Sequence, residues 1–177
     1  MKSVEIDMDT FKKIPGYTTE LSVSRWKGKI YALLEELDVD AHGWMKDKEE
    51  GTEILVFQKT FTLGNVERLI QFRMEPVLIK VKKKKAHRYG PIEVVDKPNV
   101  SWKLFHDLLE RKVAAARLGL VEMRHEFMPY ISKELPDGSV GTFADFMDLI
   151  LQEQGGLDAL RLEDQRGRKP VEAEVAH

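Results

Sequence analysis

The chain has 177 residues, of which 42% are hydrophobic and 33% charged, and its formal net charge is −2. These values are typical of one globular domain with a heavily charged surface, and they exclude a chain that is disordered throughout. Cysteine is absent, which excludes disulfides and thiolate metal sites. The lack of Cys, together with sparse Asn and Gln, is also a pattern of thermophilic proteins.

Residues 1–17 are predicted to form a flexible arm, because they are punctuated by Pro15 and Gly16 and show no sustained period. Their acidic start lacks the apolar stretch of a signal peptide. No apolar run in the chain is long enough to span a bilayer. We therefore expect a cytoplasmic protein with no membrane partner.

A helix is predicted to begin near residue 19 or 22 and to end at residue 37, with Thr18, Thr19 or Ser22 as its N-cap. Its apolar positions recur every three or four residues and so share one face. They are Trp26, Ile30, Leu33, Leu34 and Leu37.

The apolar period then changes to two, which predicts a run of strands. A turn at residues 63–65 joins two of them, and Pro76 interrupts the ladder because it has no N–H. The predicted strands are Ala41–Lys46, 53–62, Val66–Met74, 77–84 and 92–95.

The C-terminal third is predicted to be helical, with helices at 101–118 and 120–128 and a third that starts near Thr142 and ends before Gly155. Asp145 stands where the acid of a capping box would lie at the start of this third helix. Segregated strands and helices favour an α+β fold: an N-terminal helix, an antiparallel sheet of about four or five strands, and C-terminal helices packed against it. We expect a single domain at 18–160 and a disordered tail at 161–177.

The strongest charge asymmetry is a basic segment on and after the strand predicted at 77–84. Alternating lysines project from one face of a strand, where they can follow a phosphate backbone, and a tyrosine beside them can stack on a base. The basic segment comprises Lys80, Lys82, Lys83, Lys84, Lys85, His87, Arg88 and Tyr89. It predicts weak, sequence-independent binding of nucleic acid. The alternative is that lysines on an edge strand only oppose aggregation.

A second candidate is a divalent-metal site at Asp38, Asp40 and His42, which point the same way if this stretch is extended. The alternative is a polar connection between a helix and a strand. Glu122 with His125 has a spacing used in two-metal helical bundles, but a second copy of that motif is missing. His106 and Glu110 could approach this pair, and surface pairing explains the same residues.

Motifs for phosphate loops, zinc proteases and serine hydrolases are absent from the sequence, so it predicts no cofactor and no catalytic residue. Three hypotheses remain open. The first is the nucleic-acid binding described above. The second is a protein-interaction or assembly module that self-associates through the sheet edge or the C-terminal helices. The third is a metal-dependent enzyme at Asp38, Asp40 and His42, and the balance is against an enzyme.

Overall fold

The structure is a computed structural model that describes residues 3–46, 52–63, 65–83 and 93–153. Within these residues the chain is mixed α and β, which confirms the predicted α+β class. The elements in chain order are β1 Ser3–Asp7, α1 Met8–Lys12, α2 Val23–Glu36, β2 Ala41–Lys46, β3 Glu53–Leu63, β4 Val66–Met74, β5 Leu78–Lys83, β6 Glu93–Asp96, α3 Pro98–Arg117, α4 Met123–Glu126, a 3₁₀ turn Met128–Tyr130, β7 Ser132–Glu134, β8 Val140–Thr142 and α5 Phe143–Glu153.

The described strands form three sheets, whereas the sequence predicts one antiparallel sheet of four or five strands. An antiparallel sheet has the order β2-β3-β4, a second sheet has the order β1-β5-β6, and β7 pairs with β8. In the second sheet β1 runs parallel to β5. The ladder of β4 ends before Pro76, which cannot donate a backbone hydrogen bond, and the chain continues as β5 in the other sheet.

The structure also differs from the predicted arm at residues 3–17. β1 pairs with β5 along Ser3–Asp7, and α1 buries Phe11, which is 5% exposed. Asp7 caps α1 by accepting a hydrogen bond of 2.7 Å from the Thr10 amide. A five-residue strand and a five-residue helix are too short to give a recognisable period, so the sequence pattern misses them. The predicted tail at 161–177 lies outside the described residues.

The main core joins α2 and α3 to one face of the β2-β3-β4 sheet. The apolar stripe predicted for α2 is confirmed, since its members are buried there, and Ser22 caps the helix. Phe57 and Phe72 stack across β3 and β4 with ring centroids 4.9 Å apart. Phe127 meets the same two rings edge-on, at 5.5 and 5.9 Å. This aromatic triad therefore closes the core on the side of α4.

A smaller core lies between the β1-β5-β6 sheet and the start of α3. Ser101 links β5 to the start of α3 by hydrogen bonds. The Ile79 amide of β5 donates to Ser101 Oγ at 2.8 Å. The Ser101 hydroxyl donates in turn to the Lys97 carbonyl at 2.9 Å. One hydroxyl thus satisfies two backbone groups in a buried place.

The C-terminal region follows the predictions in part. α3 starts earlier than predicted, at Pro98, because proline is tolerated in the first turn of a helix. The helix predicted at 120–128 shortens to α4 and a 3₁₀ turn around Pro129. At the start of α5 the Asp145 carboxylate accepts from the Thr142 amide at 2.9 Å, which confirms the predicted capping box. None of the described helices is both long and apolar enough to cross a membrane.

Candidate functional site

The described part of the basic segment lies in the middle of a sheet and is flanked by acids. β5 is the central strand of the order β1-β5-β6, so its lysines do not protect an edge. In the sheet register Lys80 lies between Glu5 and Asp96. Lys82 lies opposite Asp7, and its Nζ is 2.9 Å from Glu5 Oε2. Acids on β1 therefore offset the positive charge of both lysines, and for Lys80 an acid on β6 does so as well.

The electrostatics of Glu5 agree with this pairing. The hydrogen bond and the positive charge of Lys82 hold the pKa of the Glu5 carboxyl below its ordinary value of 4.5. The stabilisation from this pair is therefore complete above that value and is lost as the pH falls below it. Lys83 pairs with Glu93 in the backbone register, while Lys84, Lys85, His87, Arg88 and Tyr89 lie outside the described residues.

The acidic flank gives a direct test of the nucleic-acid hypothesis. If the β5 lysines contact phosphates, Glu5→Gln should raise the affinity for a single-stranded oligonucleotide by about two- to fivefold, because it frees Lys82 from a competing ion pair. Fluorescence anisotropy at several salt concentrations would measure this. Glu20→Gln makes the same charge change at an exposed residue outside the described sheets. An equal response of the two variants would contradict a role for Lys82.

Asp38, Asp40 and His42 are held in three separate interactions. Asp38 has a φ of +53°, so the stretch is not extended there as the prediction requires, and its carboxylate is 3.1 Å from Lys59 Nζ. The Asp40 carboxylate accepts from the Thr60 amide. The His42 ring lies 4.5 Å from the ring of Tyr31. The structure does not bring the three together as a set of metal ligands.

The described residues contain another group of ligand type, on one face of α3. Ligand atoms of His106, Asp107 and Glu110 all lie within 4.8 Å of one another. Asp107, however, forms an ion pair with Lys103, whose ammonium group would repel a cation. The ring of His106 packs at 5.2 Å from that of Trp26. These contacts explain the cluster without a metal, and neither Glu122 nor His125 belongs to it.

An apolar cavity of about 340 Å³ lies between the β1-β5-β6 sheet and α3. Three polar side chains also line it, and each is already engaged. Ser101 bonds two backbone groups, Thr10 donates to Asp7, and Glu75 forms an ion pair with Arg73. The wall therefore provides little to orient a polar ligand. Its apolar side chains include Val4, Ile6, Ile14, Val77, Leu104 and Leu108.

The outer edge of β2 is the most unusual surface of the described structure. β2 pairs only with β3, and among the described residues no strand pairs with its other side. The opposite edge of the same sheet is covered at its C-terminal end, where Ile131 forms a β-bridge with Phe72, and Arg73 of β4 donates to the Val140 carbonyl at 2.9 Å. An uncovered edge presents a row of backbone donors and acceptors that another strand can pair with.

β2 also lacks the charges that usually protect an edge. The two edge strands of the other sheet, SVEID in β1 and EVVD in β6, each carry two acids. β2 reads AHGWMK, so its only formally charged residue at neutral pH is Lys46 at the end. Met45 is 56% exposed. The comparison indicates an edge open to pairing, in contrast to the charged edges beside β5.

Aromatic residues support β2 on the side of the core. Trp44 packs on Trp102 with ring centroids 4.8 Å apart, and His42 packs on Tyr31. Lys27 Nζ lies 5.2 Å from the Trp44 ring and 2.7 Å from Glu53 Oε1, which joins α2 to the start of β3. These contacts hold the strand in place, while its outer backbone groups pair with no strand in the part of the chain that the structure describes.

Comparison with protein-family models, curated proteins and solved structures finds no match for this chain. The sequence predicts the strand at Ala41–Lys46, but it contains no signal for the position of that strand in the sheet, which depends on the pairing of distant segments.

Proposed function

We propose that this protein is a protein-interaction module that binds an extended polypeptide strand along the outer edge of β2. The observation that carries the proposal is the asymmetry of the β2-β3-β4 sheet: Ile131 bridges its β4 edge at Phe72, while its β2 edge has no described strand partner along its length. Addition of a strand to a sheet edge is a common way to recognise peptides.

The affinity comes from backbone hydrogen bonds, and the selectivity comes from the two faces of β2. His42 and Trp44 lie opposite Phe57 and Leu55, so they share the core face of the sheet. The other face carries Ala41, Gly43 and Met45. An incoming strand would therefore place alternate side chains next to aromatic rings on one face and next to small or flexible groups on the other.

The glycine in the middle of β2, Gly43, also supports the binding of a strand at this edge. Glycine in the interior of a strand weakens it, and often marks a place where another backbone approaches closely. A Cβ atom at Gly43 would meet no other atom of the described structure within 4 Å. Packing among the described residues therefore gives no reason for a glycine here.

The test is selection from a displayed library of random octapeptides, read out by the affinity of the selected peptides. We expect wild-type protein to select peptides with alternating apolar residues. The double change Ala41→Lys and Met45→Lys should weaken their binding about tenfold or more, because it places two charges beside the incoming strand.

The matched control is Val66→Lys with Leu69→Lys. It also adds two lysines at exposed apolar positions, here on β4, where the side chains of Val66 and Leu69 are 49% and 59% exposed. This control should bind the peptides as the wild type does. Equal loss in both double variants would contradict the proposal. So would a library that yields no peptide sensitive to the β2 changes when the protein is monomeric under the selection conditions. The nucleic-acid and metal hypotheses stay predictions. No contact among the described residues favours either of them over the binding of a strand at β2.

A further inference from the structure

We infer that the strand that binds β2 is β2 of a second copy of this chain, paired antiparallel about a two-fold axis at Gly43. This inference rests on the proposed function of the β2 edge and names its partner. The β2-β3-β4 sheet of one copy and the β2-β3-β4 sheet of the other would then form one continuous six-stranded sheet. A two-fold interface of this kind uses the same patch on both copies, so the patch must be complementary to itself.

The charges of β2 and its preceding residue meet that condition. When Gly43 faces the partner's Gly43, Asp40 faces the partner's Lys46, and Lys46 faces the partner's Asp40. Asp40 already continues alongside β3, since its amide donates to the Gln58 carbonyl at 2.9 Å. Opposite charges directly across a strand pair are stabilising, and here the pair occurs twice.

The aromatic residues fit the same register. His42 faces the partner's Trp44, on the face of the sheet where His42 packs on Tyr31. Side chains directly across an antiparallel pair have Cβ atoms about 4.5–5.5 Å apart, so their rings can touch. The aromatic clusters of the two copies would therefore join into one across the axis.

Neighbouring registers lose this complementarity. A shift by one residue exchanges the two faces of the strand and places the helices of the second copy on the opposite side of the sheet. Moving the axis to His42 places Asp40 opposite the partner's Trp44, and moving it to Trp44 places Lys46 opposite the partner's His42. The axis at Gly43 alone pairs both the charges and the aromatic rings.

Cysteine cross-linking tests this register cleanly, because the natural chain contains no cysteine. Under mild oxidation Gly43→Cys should form a disulfide-linked dimer with twice the 20.4 kDa of one chain. Ala41→Cys and Met45→Cys are matched controls on the same face of β2. Each alone should stay uncross-linked, while a mixture of the two should form a mixed dimer, because Ala41 faces the partner's Met45.

A charge change tests the ionic pairs in the natural background. Lys46→Glu places a second acid opposite the partner's Asp40 and should weaken dimerisation about tenfold in sedimentation equilibrium. Adding Asp40→Asn should restore most of the loss, since it removes the repulsion and keeps an oxygen that can accept from the Thr60 amide.

The outcomes separate this inference from the proposed function. Dimers that cross-link through Gly43→Cys and weaken with Lys46→Glu would support both. A protein that stays monomeric up to about millimolar concentration, yet still binds strand peptides at β2, would overturn the second copy as the partner and leave the edge function standing. A dimer unaffected by Ala41→Lys with Met45→Lys, in a chain whose β2 edge binds no peptide, would overturn both.

Discussion

Phe72→Ala is expected to lower the free energy of unfolding by about 3–5 kcal/mol, which is the usual cost of removing a large aromatic side chain from a packed core. Phe72 is fully buried, stacks on Phe57 and meets Phe127 edge-on. The change would leave a cavity where three rings now contact one another. Urea denaturation followed by circular dichroism would measure the loss.

The control for Phe72 lies on the same strand. Leu69 is 59% exposed, so Leu69→Ala should change the free energy of unfolding by less than about 0.5 kcal/mol. Phe72→Leu should fall between the two, because leucine fills much of the ring volume. A loss below about 1 kcal/mol for Phe72→Ala would show that the aromatic triad does not close the core.

Ser101→Ala is the second change with a large expected effect, a loss of about 1–3 kcal/mol. It removes the oxygen that accepts the Ile79 amide at 2.8 Å, in a position where water does not replace it because Ser101 is only 2% exposed. A buried amide without an acceptor carries the full cost of its desolvation. Thermal unfolding would measure the loss, and faster hydrogen exchange at the Ile79 amide would locate it.

The matched control is Ser24→Ala, which replaces an exposed serine near the start of α2. We expect its effect to stay within about 0.5 kcal/mol. If Ser101→Ala destabilised the protein no more than Ser24→Ala, or left hydrogen exchange at the Ile79 amide unchanged, the Ser101 hydroxyl would not be the group that links β5 to α3.

The helix α2 shows what can be predicted from the sequence of this protein. Its apolar stripe from Trp26 to Leu34 and the capping box at the start of α5 are found where the sequence predicts them. Its cap, Ser22, is one of the three residues predicted for that position. β2 and β4 likewise have the predicted bounds. These features depend on contacts between residues three or four apart, or on a period of two along one strand, so a short stretch of sequence contains the information.

The strand β5 shows which features a short stretch of sequence does not determine. The alternation predicts that Val77, Ile79 and Val81 face inward. Ile79 and Val81 are buried, whereas Val77 is 41% exposed. The alternation does not indicate that β1 supplies Glu5 beside Lys80 and Lys82, because that pairing joins residues about 75 positions apart in the chain. The charge alternation therefore predicted a basic surface, where the tertiary structure shows lysines paired with acids from neighbouring strands.

The candidate site at β2 likewise combines features that the local sequence sets with features that only the tertiary structure sets. The sequence by itself determined that Ala41–Lys46 is a strand, which of its side chains share a face, and that Asp40 and Lys46 lie symmetrically about Gly43. Only the tertiary structure decided that this strand lies at an edge among the described strands, with Ile131 bridging the opposite edge at Phe72. The reason is physical: side-chain direction follows from the local backbone, while strand order depends on which distant segments bury their apolar faces together.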